Sequence, residues 1–305
     1  MSNEPQTATI LPREHTDVLR GMAMILIMGV HAWTPFSSFL RCMNLVSSLS
    51  VAVFLFLSGY GLSESHRQKG LTGFFRRKFN RIVFPYWIWL LLTIPLRPFD
   101  LTALLGNFFF IPADDNYLYF IVYLVYCYAA FGVAHRFFPR HVTAVLALFT
   151  VASLFFPPLS ATKSLSFLAG CLVSMHSGHI KRLQGNGKMA RCVAVATLLA
   201  LLLYALKLLP FIQNHKGTPP FCLLVSSTLL CFTPIFLAFP KLVSPLLRSR
   251  IIKMAGIMSL ELYMVHSAFI PYIHTLTNVL MFYTASVILA IGFHRFNSAW
   301  MKARD

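Results

Sequence analysis

Charged residues are scarce in this sequence, and acidic residues are the scarcest. Only 11% of the 305 residues are charged and only nine are Asp or Glu, whereas about 25% of residues are charged in an ordinary soluble domain. Hydrophobic residues make up 57% of the chain, and the mean hydropathy is +0.68. This composition excludes an ordinary soluble domain and predicts a polytopic membrane protein.

Cysteine patterns that would indicate metal or disulfide chemistry are also lacking. The six cysteines never approach CxxC spacing, and most lie in apolar runs, where Cys behaves as a small hydrophobic residue. The sequence therefore indicates neither a metal site nor a disulfide framework. Residues 1–16 are polar and lack a cleavable signal pattern, so we expect the first apolar run to remain as a helix.

Basic residues, by contrast, greatly outnumber acidic ones. The 26 Lys and Arg residues give a formal net charge of +17. In a soluble protein such an excess would point to nucleic acid, but in a membrane chain it is typical of cytoplasmic loops beside anionic lipid. We therefore expect contact with membrane lipids and exclude nucleic acid.

The apolar stretches predict an all-α bundle of about ten transmembrane helices. Residues 101–111 are apolar but number about half of the ~20 that a span needs, so we interpret them as a re-entrant or interfacial segment on the outside. The predicted spans cover residues 19–38, 45–62, 82–96, 117–134, 142–156, 164–175, 190–209, 221–239, 254–274 and 276–293.

This arrangement agrees with the positive-inside rule. It places the densest basic stretch, residues 66–81, in the cytoplasm, together with thirteen further Lys and Arg residues of three loops and the C-terminal tail. Both termini are then cytoplasmic. The prediction is one membrane domain over residues 1–305, with a polar cytoplasmic N-terminal segment (1–16) and a basic cytoplasmic tail (294–305).

The first apolar run contains two ionisable residues, Arg20 and His31. A helix turns ~100° and rises ~1.5 Å per residue, so eleven residues complete about three turns and climb about 16 Å. Arg20 and His31 therefore share one face of the predicted helix. Ionisable groups at membrane depth indicate a functional site with a partner elsewhere in the bundle. The alternative is structural: Arg20 extends to the lipid headgroups and His31 hydrogen-bonds a neighbouring helix.

A second set of ionisable residues lies in the predicted span 254–274. This span runs in the same direction as the first, so His266 and His31 are expected at similar depths. Glu261 is the only one of the nine acidic residues well inside a span. A buried carboxylate needs a partner, and we expect Arg20 or one of the two histidines to supply it. The alternative is an ion pair that only packs the helices.

Two further features lie near the predicted cytoplasmic ends of their helices. The span 45–62 runs opposite to the first, so Ser58 and Gly59 should lie at the level of Arg20, and Gly59 permits close approach by a helix or a ligand. Lys78 and Arg81 are one helical turn apart, which suits an anion such as the phosphates of coenzyme A. The alternative is that these basic residues only reflect membrane topology and bind no ligand.

Four motifs follow one another along most of the chain. They are the R-x10-H pair of Arg20 and His31, residues 54–59 (FLFLSG), residues 77–86 (RKFNRIVFPY) and residues 259–266 (SLELYMVH). Together they resemble the acyltransferase 3 family, integral membrane O-acyltransferases of envelope polysaccharides and glycolipids. The resemblance implies that donor binding involves Ser58, Gly59, Arg77, Lys78 and Arg81, and here the usual RxxR pair reads Lys78-x-x-Arg81 with Arg77 beside it.

The resemblance also implies the reaction. An acyl group, acetyl in the simplest case, would pass from cytoplasmic acetyl-CoA or another acyl-CoA to a hydroxyl of an extracytoplasmic or lipid-linked glycan, without a metal, in a bacterial cytoplasmic membrane. A free hydroxyl is a poor nucleophile near neutral pH and imidazole is a suitable base. We therefore expect His31 as the general base, with Arg20, Glu261 and His266 completing the catalytic site.

A different class of function uses the same residues. In a proton-coupled transporter or exporter of a glycolipid or small molecule, Arg20, His31, Glu261 and His266 would form a proton relay. Inverted repeats would favour that class, and we find none in the sequence. A non-catalytic membrane scaffold fits poorly with buried ionisable groups.

Overall fold

The computed structural model describes residues 9–36, 44–96, 100–111, 118–155, 161–185, 188–242 and 246–303. Within these residues the regular structure is helical and contains no strand. Six of the helices are long and apolar enough to cross a membrane: Arg13–Phe36, Leu45–Lys69, Tyr119–Phe137, Lys188–Lys207, Pro219–Ala238 and Leu276–Lys302. The prediction of an all-helical, multi-pass membrane protein is thereby confirmed, while the count of ten spans and the side on which the termini lie stay predictions.

The helices follow the predicted order closely. The described α-helices are α1 (Arg13–Trp33), α2 (Asn44–Lys69), α3 (Phe74–Lys78), α4 (Phe84–Leu92), α5 (Leu101–Phe108), α6 (Tyr119–Phe137), α7 (Val142–Ser153), α8 (Ser164–Met175), α9 (Ser177–Gly185), α10 (Lys188–Lys207), α11 (Pro210–Gln213), α12 (Pro219–Leu230), α13 (Thr233–Leu242), α14 (Arg250–Ile257), α15 (Ser259–Phe269) and α16 (Leu276–Lys302).

Several predicted spans are shorter or broken. The span 254–274 is interrupted at Met258, which separates α14 from α15, and the span 82–96 is preceded by a π-helical turn, Phe79–Val83, that leads into α4. The segment 101–111 forms α5, which has eight residues. The Asp100 side chain begins α5 by accepting hydrogen bonds from the backbone N–H groups of Thr102 and Ala103. At ~1.5 Å per residue, α5 is about 12 Å long and too short to cross the ~30 Å hydrocarbon core.

Glycine pairs allow the closest helix crossings. A Cβ atom built on Gly59 would lie 2.2 Å from the carbonyl oxygen of Phe167 in α8, and one on Gly170 would lie 2.0 Å from that of Phe56 in α2. Helices α1 and α14 cross in the same way, because a Cβ on Gly256 would lie 1.8 Å from the carbonyl oxygen of Asp17. Small residues favour membrane helix packing because they let the backbones approach.

The last helix is longer than the predicted span. Helix α16 runs from Leu276 to Lys302, whereas the sequence predicted a span that ends at residue 293 and is followed by a tail. Most of the predicted tail is therefore helical, and its polar residues project from the same rigid element as the apolar part.

Candidate active site

A cavity of about 690 Å³ lies between α1, α2, α6, α15, the end of α16 and the π-helical turn. Its lining changes character from one end to the other. Arg81 and Lys302 are exposed at the surface, whereas Phe54, Phe120 and Tyr263 are only 6%, 5% and 4% exposed. The cavity therefore has a cationic rim and an apolar inner end.

The rim brings together the two cations that were predicted from their spacing. Lys78 and Arg81 both line the cavity, and the Lys78 ammonium lies 4.8 Å from the centroid of the Tyr128 ring. Burial of that ammonium, with repulsion from Arg81 and the neighbouring arginines, lowers the pKa of Lys78 to about 8. An unshifted Lys would hold its charge well above this pH, so Lys78 is a cation that titrates close to physiological pH.

Arg77 and Gly59 lie outside this cavity lining. The Arg77 guanidinium donates a hydrogen bond to the carbonyl of Thr72 in the turn before its own helix, α3, and its side chain is exposed. Gly59 packs against the backbone of Phe167. Of the two uses that the sequence left open for Gly59, the structure shows the close approach of a helix.

Arg20 and Ser58 line the cavity together, as their predicted common level requires. The guanidinium of Arg20 forms an ion pair with the carboxylate of Asp17 one turn earlier in α1, with an N to O distance of 3.5 Å. The Arg20 side chain is 28% exposed, so the pair borders the cavity and is not sealed from it.

The predicted partner of Glu261 is wrong. Its carboxylate oxygen Oε1 accepts hydrogen bonds from His294 Nδ1 at 3.2 Å and from Asn297 Nδ2 at 3.1 Å, and not from Arg20, His31 or His266. The reason is the length of α16: because the helix continues past residue 293, His294 and Asn297 lie three positions apart on one face and meet Glu261 on α15. All three residues line the cavity.

The two predicted histidines do meet. The ring centroids of His31 on α1 and His266 on α15 lie 5.6 Å apart, so the prediction that they reach similar depths is confirmed. His266 is 1% exposed, and its Nδ1 lies 2.9 Å from the Leu262 carbonyl oxygen. Since a carbonyl can only accept, this hydrogen bond requires Nδ1 to carry a proton.

The histidine pair does not line the cavity but lies next to its inner end. Tyr263, which does line the cavity, has its ring centroid 5.4 Å from that of His266. The predicted site is thus divided into two parts: Arg20, Ser58 and Glu261 with the basic rim, and His31 with His266 beyond the aromatic residues.

Sequence reasoning missed several polar residues of the cavity, among them Asn80, Tyr128, His294 and Asn297. Asn80 lies inside the motif of residues 77–86. His294 and Asn297 have i, i+3 spacing, which would have indicated a common helix face if the last predicted span had not ended at residue 293. Tyr128 is one of four tyrosines in α6, and nothing in the sequence distinguishes it.

No group of three or more His, Cys, Asp or Glu side chains that could hold a metal ion occurs in the part of the chain that the structure describes. The cavity lining itself supplies cations, the imidazole of His294, the carboxylates of Asp17 and Glu261, side-chain amides and hydroxyl groups.

Comparison with known families identifies the family of this chain. The family model for the acyltransferase domain of the acyltransferase 3 family matches residues 15–293, which includes the histidine pair and most of the residues that line the cavity. The chain therefore belongs to the acyltransferase 3 family and is a multi-pass membrane protein of that family. No curated protein and no solved structure matches the chain significantly.

Proposed function

We propose that this protein moves an acyl group from cytoplasmic acyl-CoA to a hydroxyl of an extracytoplasmic or lipid-linked glycan, with His31 as the general base. The observation that carries the proposal is the polarity of the cavity: cations surround its rim, and its inner end adjoins the pair of His31 and His266.

The rim supports binding of the donor phosphates. Lys78 and Arg81 face the same space as Arg20, and hydrogen bonds between cations and phosphates are stronger than neutral ones. Arg20 either holds a phosphate or polarises the thioester carbonyl. With the phosphates at the rim, the pantetheine arm extends inwards and carries the thioester towards Tyr263.

The histidine pair supports the transfer step. His31 removes the proton from the acceptor hydroxyl, the oxygen attacks the thioester carbonyl carbon, the carbon–sulfur bond breaks and the coenzyme A thiolate leaves. A second course uses His31 as the nucleophile, with an acyl-imidazole that the hydroxyl then attacks. Both courses need an imidazole beside the inner end of the cavity. The proposal includes a bacterial cytoplasmic membrane, with donor and acceptor on opposite sides.

The decisive experiment uses the purified full-length protein in lipid vesicles with labelled acetyl-CoA and envelope glycans. We expect label on the glycan, and slow thioester hydrolysis when the acceptor is omitted. The double variant Lys78→Glu/Arg81→Glu should bind acetyl-CoA more weakly, and its residual binding should depend less on salt. Arg76→Glu is the matched control, since Arg76 is exposed in the same basic stretch and does not line the cavity. Equal donor affinity in all three proteins would contradict the proposed donor site.

A further inference from the structure

Three buried aromatic side chains from three helices line the apolar inner end of the cavity. Phe54 comes from α2, Phe120 from α6 and Tyr263 from α15, and all three line the cavity. The ring centroids of Phe54 and Phe120 lie 5.8 Å apart, and those of Phe120 and Tyr263 lie 5.1 Å apart. These contacts join the rings into one apolar surface, which we call the aromatic layer.

The histidine pair lies beyond the aromatic layer. Tyr263 contacts the ring of His266, which in turn lies beside His31, and neither histidine lines the cavity. Tyr263 therefore borders the cavity and contacts the histidine pair as well. A group that reaches the inner end of the cavity meets the aromatic layer before it meets His31 or His266.

The two ends of the cavity impose an orientation on a ligand. Arg13, whose side chain is 89% exposed, and Arg81 stand at the rim, whereas the three rings are almost fully buried. Placing an anionic group against buried rings costs free energy, and placing a small apolar group there gains it. An anionic thioester therefore points its acyl group at the aromatic layer.

We propose that the aromatic layer sets the length of the acyl chain and selects short acyl groups, acetyl foremost. This inference rests on the proposed function, because it requires acyl-CoA in the cavity. Packed interiors resist added methylene groups, so a longer chain must either displace the rings or hold its thioester carbonyl further from His31 and His266. In an apolar pocket one methylene changes substrate selection by about 10- to 200-fold.

The test measures selection between donors and uses the full-length protein in lipid vesicles. Acetyl-CoA and hexanoyl-CoA are compared by competition binding and by the ratio of their kcat/KM values. Phe120→Leu and Phe54→Leu remove part of the aromatic layer. Phe131→Leu is the matched control, because Phe131 is fully buried in the same helix as Phe120 but does not line the cavity.

We expect the ratio of hexanoyl to acetyl use to rise about 10-fold or more in both layer variants and to stay at the wild-type value in Phe131→Leu. A ratio does not change with the fraction of active protein, so partial loss of fold does not imitate the effect. If Phe120→Leu fails to fold, Phe54→Leu and Tyr263→Leu decide the question.

Two outcomes would count against the inference, and they differ. If the wild-type protein binds both donors and every folded layer variant keeps the wild-type ratio, the aromatic layer does not set chain length, and the proposed function stands. If the wild-type protein binds neither donor, the proposed function fails and the inference fails with it.

Discussion

At the scale of single residues, the site depends on a few ionisable side chains whose neighbours differ from those that spacing alone would assign. His31 has the neighbour that the sequence predicted, His266. Glu261 instead holds His294 and Asn297, and Lys78 lies over Tyr128. Three predictions belong to this scale.

His31→Ala should leave a folded protein that binds acyl-CoA but transfers almost nothing. General-base assistance contributes roughly 10²- to 10⁴-fold to rate, and loss of the imidazole removes this contribution if His31 is the base. If His31 is the nucleophile, the same loss removes the attacking group. Donor binding and glycan labelling, measured on the same preparation, separate the two effects. Near-normal transfer would exclude His31 from the mechanism and favour the transporter interpretation.

Donor affinity should fall as the pH rises from 7 to 9. The pKa of Lys78 is lowered to about 8, so the ammonium is charged below that pH and loses its proton, and its attraction for phosphate, above it. Lys78→Arg is the control, because arginine stays charged throughout this range. The variant should bind acyl-CoA with an affinity that changes little between pH 7 and 9; an equally steep decline in both proteins would assign the effect to another group.

Glu261→Gln should reduce activity more than it reduces stability. The amide retains the size of the side chain and can still hydrogen-bond Asn297, but it loses the negative charge that holds His294 Nδ1. The two measurements are thermal unfolding in lipid and kcat/KM for transfer. Asn297→Ala is the comparison variant, because it removes the contact of the Asn297 amide with Glu261 and leaves the contact with His294. Equal loss of activity and stability would show that Glu261 only packs the helices.

At the scale of elements, the positions of the helices follow from the glycine crossings and from the length of α16. The crossing of α2 with α8 at Gly59 and Gly170 brings the backbones into contact, and it sets the wall of the cavity that carries Phe54 and Ser58. The extension of α16 to Lys302 brings His294 to Glu261.

Gly170→Ala should lower the free energy of unfolding by about 1–3 kcal/mol or more, because the added methyl group would lie 2.0 Å from the Phe56 carbonyl oxygen and must push the helices apart. Gly292→Ala is the matched control, since Gly292 lies in helix α16 with open space around it, where alanine favours the helix by about 1 kcal/mol. Chemical unfolding in detergent compares the two. Equal stability of both variants would contradict the tight crossing.

At the scale of the whole molecule, the fold is a helical membrane bundle of the acyltransferase 3 family. Six helices in the described residues have the length and composition of spans. The number of crossings depends on the short helix α5, on the apolar 12-residue helices α7 and α8, and on the broken spans that contain α4, α14 and α15.

Reporter fusions should report the cytoplasm after Lys69, Lys188 and Arg304, and the outside after Asp115. The prediction rests on the distribution of Lys and Arg and on α5 not crossing; Asp115 and Arg304 themselves lie outside the described residues. Alkaline phosphatase and green fluorescent protein fusions at each position give opposite signals and check each other. A cytoplasmic signal after Asp115 would overturn the ten-span arrangement.

The sequence by itself determined the class of protein and the family, and it predicted that His31 and His266 lie at similar depths. Composition identifies a membrane chain, motifs identify the family, and two helices predicted to run in the same direction place their residues at comparable depths. These properties are local, or follow from helix geometry alone.

Only the tertiary structure decided which helices are neighbours, and therefore which side chains meet. In the structure Glu261 accepts hydrogen bonds from His294 and Asn297. Lys78 and Arg81 line the cavity, whereas Arg77 bonds the turn before its helix. Gly59 packs at a helix crossing. Helix periodicity defines the face on which a residue lies but not the helix that packs there. That choice depends on close packing of side chains that are distant in the chain.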